Sequence, residues 1–122
     1  MAKNYSIESA DRITIVRFIR KLELEDICKA IDDVAENYLS EFRLWDFSCG
    51  SNLSYTEIEQ VAEYGKSKFL IPSKVAIIAQ DDLTFGSARV HDVYRENGKI
   101  EERVFRTEKE AISWLKSHNT PE

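Results

Sequence analysis

Two adjacent carboxylates, Asp81 and Asp82, stand just beyond an unbroken apolar run, Val75-Ala76-Ile77-Ile78-Ala79. Open α/β sheets take ligands at the carboxyl ends of their strands, so such a pair could transfer protons or hold a ligand there. Asp46 and Ser48, which end an earlier apolar run, would share that edge. The same aspartates can cap a following helix by accepting from its free amides, and capping alone accounts for them. His91 and His118 are far apart, with no third ligand at metal-binding spacing. No phosphate-cradling glycine loop, H-E-x-x-H or G-x-S-x-G pattern occurs. Carboxylates with no partner base, nucleophile or metal set make an enzyme the weakest reading. A non-enzymatic protein without cofactor or metal is expected.

Arg89 follows Gly86 by three residues in a segment, Leu83 to Tyr94, whose apolar residues recur at helical spacing. Glycine inside a helix costs about 1 kcal/mol against alanine, which points to close packing or an approaching ligand. Arg89 then has two readings. It binds an acidic partner, a subunit or an anionic head group, or it pairs on the surface with Asp92 or Glu96. Phe85, Val93 and Tyr94 share the helix, and an apolar outer face there would suit a contact between two copies of the chain. Arg89, Phe85, Val93, Tyr94 and Ser48 form the expected partner-binding set.

These positions need a scaffold, and the pattern supplies one. Tyr5 to Ser9 and Ile13 to Ile19 read as strands joined by a turn at Asp11-Arg12. Leu24, Ile27, Cys28, Ile31, Val34, Ala35 and Tyr38 mark one stripe of a helix, with Glu25, Lys29, Asp32, Asp33 and Glu36 on a solvated face. Arg43 to Ser48 reads as a third strand, followed by turn formers Cys49 to Asn52. Ser54-Tyr55-Thr56-Glu57 has the form of a capping box. Ile58, Val61, Ala62 and Gly65 continue as that helix's buried face, and Pro72 ends it. Val75 to Ala79, rich in β-branched residues, predicts a strand buried on both faces. Asn97-Gly98 makes a turn, Ile100 to Arg106 a last strand, and Thr107 caps a final helix with Ala111, Ile112 and Leu115 inward and Trp114 beside them. The chain beyond His118 is polar and expected to fray.

The expected fold class is α/β, a single domain over residues 1–122 with the order ββαβαβαβα. It has a mostly parallel five-stranded sheet, an antiparallel N-terminal strand and helices packed on the sheet. With 122 residues, 43% of them hydrophobic, such a core needs no disulfide. A net charge of −5 lacks the basic footprint of a nucleic-acid binder. No apolar run is long enough to span a bilayer. The N-terminal residues do not read as a secretory signal, and a cytoplasmic setting is expected.

The element order, together with WDFS at 45–48, KVAIIAQDDLTFGSARV at 74–90 and VFRTEKEAISWL at 104–115, resembles the small bacterial STAS-like or SpoIIAA-like proteins. These are relatives of the anti-sigma-factor antagonists and, more distantly, of Sec14-type lipid carriers. The resemblance covers nearly the whole chain and implies a SpoIIAA-like sheet and helix arrangement. It also implies a regulatory module that binds a protein partner. Antagonists of that family carry a phosphorylatable residue at a helix entry after the third strand, a place that Ser54 occupies here. The family's Asp-Ser-Ser-Gly is replaced by Asn52-Leu53-Ser54-Tyr55, and a capping serine already has a structural occupation. The kinship with lipid carriers implies an alternative, a carrier of a small apolar or acyl ligand held among rings such as Phe18, Trp45, Phe47, Phe69, Phe85 and Trp114.

Overall fold

Alternating apolar residues, a tight hairpin turn and three amphipathic segments organise the described part of the chain around one sheet. The computed structural model describes residues 4–21, 23–50, 53–69, 71–79 and 100–116. Strands β1 (Tyr5–Ala10) and β2 (Ile13–Phe18) form an antiparallel hairpin. Its two-residue turn places Asp11 at φ 53° and Arg12 at φ 70°. Positive φ at both central residues is the geometry that matches the twist of a hairpin. Helix α1 (Leu24–Asn37) leads to β3 (Phe42–Asp46), and α2 (Tyr55–Lys68) leads to β4 (Ser73–Ile78). Strand β5 (Ile100–Phe105) and helix α3 (Glu108–Lys116) complete the described chain.

The strand order is β1-β2-β3-β4-β5, with every pair after the first parallel. The expected mixed sheet with an antiparallel N-terminal strand is therefore present. The helix expected around Leu83 to Tyr94 and the Asn97-Gly98 turn lie outside the described residues.

Burial on both faces of the sheet follows from the apolar runs. Val16, Trp45, Val75 and Ile77 pack against Ile27, Ile31 and Val34 of α1 and Val61 of α2. Ile15, Leu44, Ala76 and Ile78 pack on the opposite face against Ala111 and Leu115 of α3. Val75 to Ala79 is shielded above and below, and β4 lies between two parallel neighbours. The middle position by order belongs to β3, whose Leu44 has no exposed surface. Each such side chain stabilises the fold by roughly 1.5–3 kcal/mol relative to an exposed one.

Side-chain caps fix where α2 and α3 start, while α1 begins at Glu23 without one. Ser54 Oγ accepts from the Glu57 N–H at 3.2 Å and Glu57 Oε1 accepts from the Ser54 N–H at 3.0 Å, completing the expected capping box. Thr107 Oγ1 accepts from the Glu110 N–H at 3.2 Å. At the far end of α3, the buried Lys74 ammonium donates to the Trp114 carbonyl at 3.2 Å and sits 4.2 Å from its ring centroid. Burial pulls the Lys74 pKa down, while nearby Glu101 pushes it up.

Three expectations are corrected. Tyr38 is no part of the buried stripe of α1; it follows the helix as its C-cap and is 40% exposed. Phe47 and Ser48 lie beyond the end of β3, because the Ser48 N–H turns back to Asp46 Oδ1 at 2.9 Å. The acidic face of α1 is not simply solvated. Asp33 accepts from the Tyr5 hydroxyl at 3.2 Å, and Asp32 accepts from the Tyr64 hydroxyl and faces Lys68 at 3.4 Å. The hydrogen bond to Asp32, with burial and nearby negative charge, pushes the Tyr64 phenol up to about 12.

Candidate functional site

Where α1 stops, the chain must turn back into β3, and that turn is tied to the hairpin by hydrogen bonds. Thr14 Oγ1 donates to the Tyr38 carbonyl at 2.6 Å, and Ser40 Oγ donates to the Arg12 carbonyl at 2.6 Å. Arg12 Nη2 meets Glu41 Oε2 at 3.1 Å. These bonds consume the polar groups of the turn and leave the apolar ones outside, Tyr38 at 40% and Leu39 at 46% exposure. The result is an open groove of about 470 Å3 between the hairpin tip and the α1–β3 connection, with Ser9, Arg12, Thr14 and Asn37 also on its walls. It is shallow and mixed in polarity, which suits a polypeptide surface better than an enclosed small molecule.

The opposite end of the sheet carries charge. Arg17, which shares a face with Ile13 and Ile15, binds Glu108 through both Nη atoms, with Nη2–Oε2 at 3.2 Å. Asp46 lies 3.6 Å from its Nη1, and Glu8 lies 3.8 Å from Nε. The hydrogen bond from Arg17 pulls the Glu108 pKa below its ordinary value of 4.5, against the upward push of burial. Reciprocally, the Glu108 bond raises the Arg17 pKa. A depressed carboxylate stabilises the fold above its ordinary pKa, and that contribution vanishes as pH falls through the folded-state value. Glu108 is 40% exposed, so the effect stays below about 1 kcal/mol. Glu108→Gln should therefore lower the urea midpoint slightly at pH 7, and the gap to the unmodified protein should close by pH 3. A gap that widens on acidification would show that Glu108 is not held by Arg17.

A third feature lies under α2. Arg43, 1% exposed on β3, stacks 4.1 Å from the Phe69 ring centroid and donates from Nη1 to the Ser40 carbonyl at 2.7 Å and Ser73 Oγ at 3.0 Å. Glu102, 8% exposed on β5, faces the same side with Val75 between them in the register. Both border a cavity of about 30 Å3 beside Trp45, Gly65 and Phe69. That space holds one or two waters, well below the roughly 300–1,000 Å3 of small-molecule sites.

Of the expected site residues, Ser48 and Asp46 are brought together at the carboxyl end of β3, with Arg17 in place of a catalytic partner. Ser54 is exposed, its hydroxyl engaged as the cap of α2. Arg89, Phe85, Val93 and Tyr94 lie outside the described residues, as do Asp81, Asp82, His91 and His118. Cys49 is exposed and its thiol donates to the Phe18 carbonyl at 3.1 Å, while burial pushes the half-buried Cys28 thiol up. Among the described residues no group of His, Cys, Asp and Glu comes together as a metal site, and no helix is long and apolar enough to cross a membrane. The groove was not anticipated. Its one sequence signal is that Leu39 follows Tyr38 directly at the end of the helical stripe.

A solved structure of an uncharacterised protein of the DUF3478 family from Shewanella loihica PV-4, described as having a SpoIIAA-like fold, superposes on this chain with a TM-score of 0.55. The match covers 94% of this chain and 98% of the other at 22% identity. The fold is SpoIIAA-like. No protein-family model matches the sequence, and no curated protein is similar to it. At that identity the likeness speaks for the architecture alone. Within the SpoIIAA-like fold, the Tyr38–Leu39 groove sits at the amino ends of β2 and β3, while Ser48 and the Arg17 cluster sit at the carboxyl ends.

Proposed function

We propose that this SpoIIAA-like protein is a non-enzymatic interaction module that binds a protein partner in the groove beside Tyr38 and Leu39. The observation that carries the reading is the adjacency of two large exposed side chains on a turn braced by Thr14, Ser40 and Arg12. A braced surface loses little conformational entropy on binding, and aromatic or aliphatic anchors on such surfaces dominate affinity. Ile19, 67% exposed, is at the other end the one large apolar side chain so exposed among the described residues, and single exposed residues of that kind are ordinary. The carrier reading has less support, because the cavity beside Arg43 has room only for water.

Leu39→Asp tests the proposal. The position is exposed, so the thermal midpoint should move little. Loss of an anchor should weaken a partner's binding roughly 30-fold or more, equivalent to about 2 kcal/mol. Affinity capture from the native lysate, quantified by mass spectrometry for both proteins, should show a partner held by the unmodified protein and lost by the variant. Identical partner sets would remove the groove from consideration.

A further inference from the structure

The geometry points to the outer edge of β1 as a strand-addition site for a basic, extended segment of the partner. The inference rests on the partner-binding reading and extends it, because Ser9 belongs both to β1 and to the groove wall. Strand β1 pairs with β2 through an unbroken six-residue register, and among the described residues no strand pairs with its other side. The Ile19 N–H donates to the Asn4 carbonyl at 2.9 Å, which fixes the parity of the ladder. Ser6, Glu8 and Ala10 then turn their backbone groups toward β2, and Ile7 and Ser9 turn theirs outward.

Sheet edges in folded proteins are commonly blunted by proline, lysine, bulges or inward-pointing charges. The other described edge, β5, has that protection: Glu102 points into the core and Glu101 and Arg103 are exposed. Strand β1 reads Tyr-Ser-Ile-Glu-Ser-Ala, with one charge, no proline and no bulge. It is built as an edge that accepts a neighbour.

Charge identifies that neighbour. Glu8, 56% exposed and only loosely paired with Arg17 at 3.8 Å, borders the edge on one face of the sheet. On the other face α1 lies over β1, with Asp26 bonded to Asn4 at 3.0 Å and Asp33 bonded to Tyr5. A second copy paired so that Glu8 met its counterpart would bring like charges together across the new ladder. An extended segment with lysine or arginine at alternate positions would meet opposite charge instead.

The test uses the full chain, isotope-labelled, and a short end-blocked peptide of alternating lysine and valine, with a glutamate–valine peptide as counterpart. Amide shifts at Ile7 and Ser9 should saturate with the lysine peptide. They should need roughly tenfold more of the glutamate peptide at low ionic strength, the ratio expected from two or three exposed ion pairs. Ser9→Pro removes an outward donor without touching the bonds to β2 and should abolish the response. Glu8→Lys, which leaves the backbone intact, should narrow the tenfold preference. Equal response to both peptides, shifts placed elsewhere, or an unaltered response in Ser9→Pro would overturn the proposal. The two readings fail separately. A silent β1 edge in a protein that still captures its partner through Leu39 removes strand addition only. A responsive edge with Leu39-independent capture removes the groove only.

Discussion

Arg43→Ala should destabilise the protein by about 3–5 kcal/mol, among the largest effects of any single substitution. The guanidinium is 1% exposed, covers the Phe69 ring and satisfies the Ser40 carbonyl and Ser73 hydroxyl. Truncation takes the donor from the half-buried Ser40 carbonyl and opens a void beside the existing cavity. Arg43→Met refills most of the void but supplies no donor and leaves the buried Glu102 beside the same cavity, so it should recover only the part of the loss that the void causes. Arg43→Lys retains the charge but neither the planar stacking nor the forked donors, and should fall between the two. Urea unfolding with an unchanged slope checks the series. An alanine variant within about 0.5 kcal/mol of the unmodified protein would mean that Arg43 stands in solvent.

The second large effect tests the shielding of the sheet. Leu44 and Trp45 are successive residues of β3 and point to opposite faces, Leu44 toward α3 and Trp45 toward α1 and α2. In a sheet with one wet face, one of two successive truncations is nearly neutral. Here both should be costly, about 2–5 kcal/mol for Leu44→Ala and about 3–5 kcal/mol for Trp45→Ala. Thermal midpoints of the two variants should drop together, by several degrees per kcal/mol. A Leu44→Ala midpoint close to that of the unmodified protein would show that α3 does not cover the sheet.

Much of the architecture was legible in the chain because apolar periodicity reports local burial. ITIVRF at 13–18 reads as a strand and VAIIA at 75–79 as a strand buried on both sides, since each is short and rich in β-branched residues, and Ser54 with Glu57 marks a helix start through bonds between near neighbours. Arg17, Arg43 and Glu102 were not legible as a group. Each interrupts an apolar alternation, which shows that something compensates it, but the compensating partner lies on another element. Glu108 is far from Arg17 in sequence, and Phe69 and Ser73 are distant from Arg43.

By itself, the sequence determined the described strands and helices, the capped starts of α2 and α3 and the mixed sheet, since these depend on spacing along one segment. Only the tertiary structure decided that Tyr38 faces outward with Leu39, that α1's acids tie to β1 and α2, and that β1 is an edge strand among the described residues. The physical reason is that a side chain's exposure at the end of an element depends on which neighbour covers it. Periodicity within the element carries no record of that neighbour.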